Sequence, residues 1–212
     1  MRAMVLPAIA DLDSNPAPLQ PVSLPDPVPG ERDILIRVSV CGVCHTDLDE
    51  IEGRTLPQQL PIVPGHEIVG RVVAMGEGCC RFALQQLVGV GWIHSSSGAA
   101  DENLSPDFRA TRRDAHGGYA ELVVVPERYA YPIPDVFSDA EAAPLLCAGG
   151  VGYRSLMLTG IRDGDVLGLT GFGGSGHLVL QLAKHLYPHS KVFVFARSNS
   201  ERAFALELGA DW

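Results

Sequence analysis

Six residues near the end of the chain constrain its fold most. Gly171-Phe-Gly173-Gly174-Ser-Gly176 lies between an apolar run, Asp165 to Thr170, and a segment where Leu178, Val179, Leu182, Ala183 and Leu186 recur at three and four residues. An apolar run, a glycine turn and a helical period in direct succession predict strand, turn and helix. Pro188 stops that helix. Lys191 to Ala196 reads as a second strand, and Ser198-Asn-Ser-Glu201 is a capping box opening a helix that Gly209 ends. Strand, helix, strand, helix is the start of a parallel α/β sheet.

A glycine turn of this pattern is a weak signal alone, but in this setting its amides and the helix N-terminus suit a pyrophosphate. Gly171, Gly173, Gly174 and Gly176 are therefore candidate cofactor contacts. An acidic residue that grips the ribose of NAD is expected about 20 residues further on. Ala196 at that place supplies no carboxylate, whereas Arg197 and Ser198 suit a 2′-phosphate, which favours NADP over NAD. The bland alternative is that Arg197 is a solvated residue at a strand end.

The earlier part of the chain is β-rich. Ile34, Ile36, Val38 and Val40 alternate with Leu35, Arg37 and Ser39, as a strand with two unlike faces requires. Short apolar runs follow at 68–75, 87–92 and 119–125, broken by Pro64-Gly65, Gly76-Glu-Gly78 and Gly117-Gly118. Such punctuation predicts a small barrel or partly closed sandwich. Between Ser95 and Gly118 lies a long polar stretch without a clear period; a loop of that length in a compact domain is usually functional. Ser138-Asp-Ala-Glu141 is a capping box, so a helix is expected from Ser138 toward Leu146, and another from Val151 to Leu158.

Five cysteines, an odd number, in a chain that opens without a secretory leader argue against a disulfide scaffold and for metal or reactive thiols. Cys41-Gly-Val-Cys44 follows a strand, which disfavours a redox pair at the head of a helix. Taken singly, the His66-Glu67 pair reads as a surface detail and Cys147 as a small buried hydrophobe. Together, Cys44, His66 and Cys147 give zinc three N/S ligands and an open fourth position, with Glu67 as a carboxylate able to exchange into the coordination shell.

At this point a resemblance becomes specific. Gly42-Val-Cys44-His-Thr-Asp47, Gly65-His66-Glu67 and Leu145-Leu-Cys147-Ala-Gly149, in this order and spacing, resemble the medium-chain zinc alcohol dehydrogenases, and the likeness takes in the glycine motif. It implies a mixed β and α/β fold: a GroES-like β-barrel catalytic domain over residues 1–150, then the incomplete N-terminal part of a Rossmann dinucleotide-binding domain over 151–212. It implies Cys44, His66 and Cys147 as catalytic zinc ligands and Thr46 as the hydroxyl that takes the substrate proton. It further implies His45 as a cofactor-phosphate contact and Asp47 as partner of the ligand histidine. The implied reaction interconverts an alcohol and an aldehyde or ketone by hydride transfer with NAD(P), in a homodimer or homotetramer.

Three departures from that pattern stand out. Asp49 takes the place of a histidine that ends the proton relay in many relatives. The stretch from Ser95 to Gly118 lacks the four cysteines of a second, structural zinc, so one zinc is expected. Cys41 matches no ligand and reads as a core or surface thiol, and Cys79-Cys80 as a surface turn. Third, only two cofactor-domain strands precede Trp212, where about six are needed. Residues 1–212 alone are thus expected to be no competent dehydrogenase, with Val192 and Val194 exposed on an unpartnered strand.

A formal net charge of −9 excludes a basic footprint for nucleic acid or anionic membrane, no apolar run is long enough to span a bilayer, and a cytoplasmic location is expected. Two alternatives remain open: a zinc-free quinone-reductase-like enzyme on the same scaffold, and a non-catalytic fragment.

Overall fold

The structure, a computed structural model, describes residues 1–212 and divides into two compact units, Met1–Cys147 and Ala148–Trp212. The first unit holds β1 (Arg2–Val5), β2 (Gln20–Ser23), β3 (Asp33–Gly42), α1 (His45–Ile51), β4 (Glu67–Met75), β5 (Leu87–Val90), β6 (Ile93–Ser95), β7 (Arg109–Ala110), β8 (Leu122–Pro126), β9 (Ala130–Pro132) and α2 (Asp139–Ala142). Its main sheet is antiparallel, in the order β8-β3-β4-β5-β9.

The alternation in β3 decides which face is inside. Ile34 and Ile36 are fully buried, packed with Ile68, Val72, Val88, Val90, Val123 and Val125 from the neighbouring strands, while Arg37 and Ser39 face out. The β3–β4 register slips twice, between Leu35 and Ile36 and between Val38 and Val40; irregularities of this kind bend a strand and increase its twist. No helix is long and apolar enough to cross a membrane.

The second unit holds α3 (Ala148–Leu158), β10 (Val166–Thr170), α4 (Gly174–Leu186), β11 (Lys191–Phe195) and α5 (Asn199–Glu207). β10 and β11 pair in parallel, Val166 opposite Lys191 through Thr170 opposite Phe195. The core joins Leu156 of α3, Leu167 of β10, Val179, Leu180 and Ala183 of α4, and Ala205 of α5 to Val192 and Val194.

Several expectations need correction. Val192 and Val194 are buried, because alternate residues of β11 face the helical layer. The strand's backbone is also engaged: the Asp211 amide donates to the Val192 carbonyl at 2.8 Å and the Val194 amide to the Trp212 carbonyl at 2.7 Å. On α4 the buried stripe passes through Leu180, and Leu186 lies exposed in the last turn. The helix from Ser138 makes one α turn and then tightens into a 3₁₀ turn over Ala143–Leu146, with Pro144 near its start. The Ser95–Gly118 stretch is not without structure, since β6 pairs with β7 and a 3₁₀ turn spans Glu102–Leu104.

Candidate metal centre

β3 and β4 run antiparallel with Gly42 opposite Glu67. This pairing brings Cys44, two residues past the end of β3, near the residue just before β4, His66. Gly65 turns the chain into that position with φ of 93°, and a Cβ there would lie 2.7 Å from Cys41 Sγ and 2.6 Å from the Tyr119 ring. Glycine is required on both counts. Gly42 clears the space for Glu67, because a Cβ at Gly42 would come 2.0 Å from Glu67 Oε2. Cys147 arrives from the other side at the end of the 3₁₀ turn. There the Leu146 carbonyl approaches Gly91 so closely that a Cβ on Gly91 would lie 2.8 Å from it.

The result is a cluster in which one ligand atom from each of Cys44, His66, Glu67 and Cys147 lies within 4.8 Å of the others. Cys44 Sγ is 3.8 Å from Cys147 Sγ, and His66 Nε2 is 3.3 Å from Cys147 Sγ. A tetrahedral zinc with Zn–S near 2.3 Å and Zn–N near 2.05 Å has S···S edges of about 3.8 Å and S···N edges of about 3.5 Å. The donor set and its spacing fit that ion. Burial and the neighbouring Cys44 push the Cys147 thiol up to about 12, and burial raises the Glu67 carboxyl. A divalent cation reverses that pressure on a thiol, because a coordinating thiol is deprotonated outright.

Behind His66 stands Asp47. Its Oδ1 is 3.3 Å from His66 Nδ1, and its Oδ2 accepts the Cys44 amide at 2.8 Å, so one carboxylate ties two of the three proposed ligands together. Burial presses the Asp47 carboxyl upward, but the His66 contact, the Cys44 amide and Arg112 outweigh it and hold it below the usual range. The sequence reading missed Arg112 and Glu50. Both are buried, with Arg112 Nη1 3.1 Å from Glu50 Oε1 and Arg112 Nε 3.8 Å from Asp47 Oδ1.

Thr46 Oγ1 lies 3.5 Å from Cys44 Sγ, at the edge of the cluster. Asp49 is not brought to Thr46 by a hydrogen bond; its carboxylate accepts from Arg54 Nε at 2.6 Å and lies 3.9 Å from the exposed His45 ring. Cys41 packs against the sheet core, where burial pushes its thiol to about 12. Cys79 is partly buried and Cys80 exposed, and the Cys80 amide donates to Glu127 Oε2 at 2.9 Å in a turn held by that carboxylate.

In the second unit Gly171 adopts φ of 83°, and its amide donates to the Phe195 carbonyl at 2.9 Å. A Cβ on Gly176 would sit 2.9 Å from the Gly171 carbonyl, so the turn closes only with glycine there. Gly173 caps α4 without a side chain, and Gly174 is the helix's first residue. Arg197 is exposed just beyond β11. The Ser198 hydroxyl accepts the Glu201 amide at 3.1 Å as the cap of α5. Arg202, not singled out in the sequence, donates to the carbonyls of Ala196 and Arg197 at 2.7 and 3.0 Å and braces this corner.

Comparison with known proteins bears on the family and the fold. Residues 30–135, half of the chain, match the alcohol dehydrogenase GroES-like domain. A probable alcohol dehydrogenase, AdhA, of Mycobacterium tuberculosis is 41% identical over 204 residues, covering 91% of this chain and 58% of that protein. The crystal structure of an NAD-dependent alcohol dehydrogenase superposes with a TM-score of 0.89 at 31% identity, over 100% of this chain and 62% of that one. That of CAD from Helicobacter pylori, complexed with NADP(H), gives 0.88 at 27%, over 99% and 62%. The chain thus spans less than two thirds of the length of each of these proteins. A thiol–imidazole cluster at the end of a curled antiparallel sheet, a glycine turn opening a parallel one, and these matches lead to one conclusion: the chain belongs to the medium-chain alcohol dehydrogenase family and carries its GroES-like domain.

Proposed function

We propose that this chain carries the catalytic zinc centre, and the first part of the NADP(H)-binding sheet, of an oxidoreductase that interconverts an alcohol and an aldehyde or ketone. The observation that carries the reading is the convergence of Cys44, His66 and Cys147, with Glu67 beside them. Two thiolates and an imidazole with one position open are a catalytic rather than a structural donor set. The zinc-free alternative leaves the approach of two thiols and an imidazole without a purpose.

Zinc, when bound, polarises the substrate oxygen and lowers the cost of charge on it. The chain's own residues do the rest. Asp47 accepts from His66 Nδ1 and so turns Nε2 toward the ligand cluster. Thr46 receives the proton that the substrate hydroxyl gives up. Onward transfer to Asp49 requires that carboxylate to loosen from Arg54. The amides around Gly171, Gly173, Gly174 and Gly176 hold the cofactor's pyrophosphate at the head of α4. Arg197 takes the 2′-phosphate beside Ser198, whose hydroxyl and amide are both engaged with Glu201 in the cap of α5, and His45 reaches a cofactor phosphate. Residues 1–150 and 151–212 then divide the labour as catalytic and cofactor-binding domains.

The reading is tested by metal analysis joined to an assay of primary-alcohol oxidation with NADP⁺ and NAD⁺. Stoichiometric zinc, with Cys44→Ala losing metal and turnover together, supports it. Full turnover in metal-free protein overturns it.

A further inference from the structure

Arg112 combines two unfavourable features. Its φ is 80°, in the left-handed region that glycine enters freely and a residue with a side chain rarely does. Its guanidinium is buried, with a side-chain exposure of 5%, and a buried charge is costly unless paired. Its partners are two carboxylates of α1, Asp47 and Glu50, at 2% and 3% side-chain exposure. They stand three residues apart, on one face of the helix. Two buried carboxylates so placed repel unless a cation stands with them.

The pairing is electrostatic rather than a saturated hydrogen-bond network. Arg112 Nη1 donates to the Thr111 carbonyl at 3.2 Å and lies 3.1 Å from Glu50 Oε1, yet both Glu50 oxygens and Arg112 Nε lack a hydrogen-bond partner. Nε faces Asp47 Oδ1 at 3.8 Å, and that same oxygen is the one 3.3 Å from His66 Nδ1. The loop is fastened where it delivers the guanidinium. The Arg112 amide donates to the Ala115 carbonyl, the Thr111 amide to the Trp92 carbonyl, and Thr111 Oγ1 to the Gly91 carbonyl at 2.9 Å. Gly91 is also the residue that lets the Leu146 carbonyl in beside Cys147.

We infer that Arg112 is a positioning residue of the metal centre: braced by Glu50, its guanidinium holds the Asp47 carboxylate in the place from which that carboxylate sets the His66 ring. The inference rests on the reading of Cys44, His66 and Cys147 as metal ligands. It assigns a role in the metal site to a loop with no cysteine of its own, and it makes that loop part of what determines metal affinity.

The test uses Arg112→Gly, which removes the guanidinium while relieving the left-handed backbone, together with Arg112→Lys and the double variant Arg112→Gly/Glu50→Gln. Zinc affinity is read by competition with a chelator, and the His66 Nδ1–H resonance by NMR. Loss of an outer partner of a metal ligand typically weakens binding ten- to a hundredfold. Arg112→Gly is expected to weaken zinc binding by roughly tenfold or more and to shift the His66 resonance, with Arg112→Lys recovering part of both. The double variant removes the second buried charge and so restores thermal stability, but not zinc affinity. Native-like zinc binding and an unshifted His66 resonance in Arg112→Gly, or in the double variant where the single one does not fold, overturn the inference alone. A native protein that binds no zinc overturns the metal reading and this inference with it.

Discussion

Cys44 and Cys147 stand 103 residues apart in the sequence, and their sulfurs lie 3.8 Å apart in the fold. Nothing local to either residue demands this. Cys44 is placed by the end of β3, and Cys147 by a 3₁₀ turn whose last carbonyl needs Gly91 bare. Two neighbouring thiols and an imidazole at 3.3 Å form an arrangement in which Asp47 ties Cys44 and His66 together.

Asp47→Asn should therefore weaken metal binding without removing a ligand. An amide presents one acceptor oxygen, whereas the Asp47 carboxylate meets both the Cys44 amide and the His66 ring. The expected loss in zinc affinity is on the order of ten- to a hundredfold. Chelator competition measures it, and unchanged affinity would contradict the role given to Asp47.

How far the sequence announces all this differs between elements. The β3 alternation, the glycine turn and the capping boxes at Ser138 and Ser198 each carry a local signal, and each is found in the fold. The helix α1 carries none: its N-cap is Cys44, a poor capping residue, and Asp47 satisfies the cap amide instead. β6 and β7, at three and two residues, are too short for an alternation to be visible. Arg112 reads as one charge in a polar loop, because only the closing of that loop over Asp47 and Glu50 makes it a buried ion. The proposed ligands were legible because their spacing resembles a known set, whereas the residues around them depend on long-range packing.

Stability should depend on pH through Glu50. Burial raises its carboxyl from 4.5 to about 7, against the opposing pull of Arg112, with Asp47 and Asp114 adding to the rise and Arg113 opposing it. The folded state then holds the proton more tightly than the unfolded one. The group's contribution is fully present below the unfolded value near 4.5 and is lost as pH climbs through about 7. Relative to Glu50→Gln, the native protein should lose stability between pH 5 and pH 8. Chemical denaturation of both at the two pH values checks this; an equal difference at each would contradict it.

NADPH should bind more tightly than NADH, and Arg197→Ala should erase most of the preference. Arg197 is exposed and free to meet a 2′-phosphate, while Ala196 offers the ribose no carboxylate. The charge-assisted bonds at stake amount to roughly 1.5–3 kcal/mol. Titration of each cofactor into native and variant protein measures the difference. A clear preference for NADH in the native protein would refute the assignment.

The most direct test of the account is the zinc content of purified protein, by elemental analysis after dialysis, for the native chain and for Cys147→Ala. Cys44, His66 and Cys147 converge on one cluster that could hold a metal ion, and the Ser95–Gly118 stretch offers no cysteine for a second. One zinc per native chain, lost in Cys147→Ala, is the predicted result. Two tightly held zincs per chain, or none after growth in zinc-supplemented medium, would contradict it.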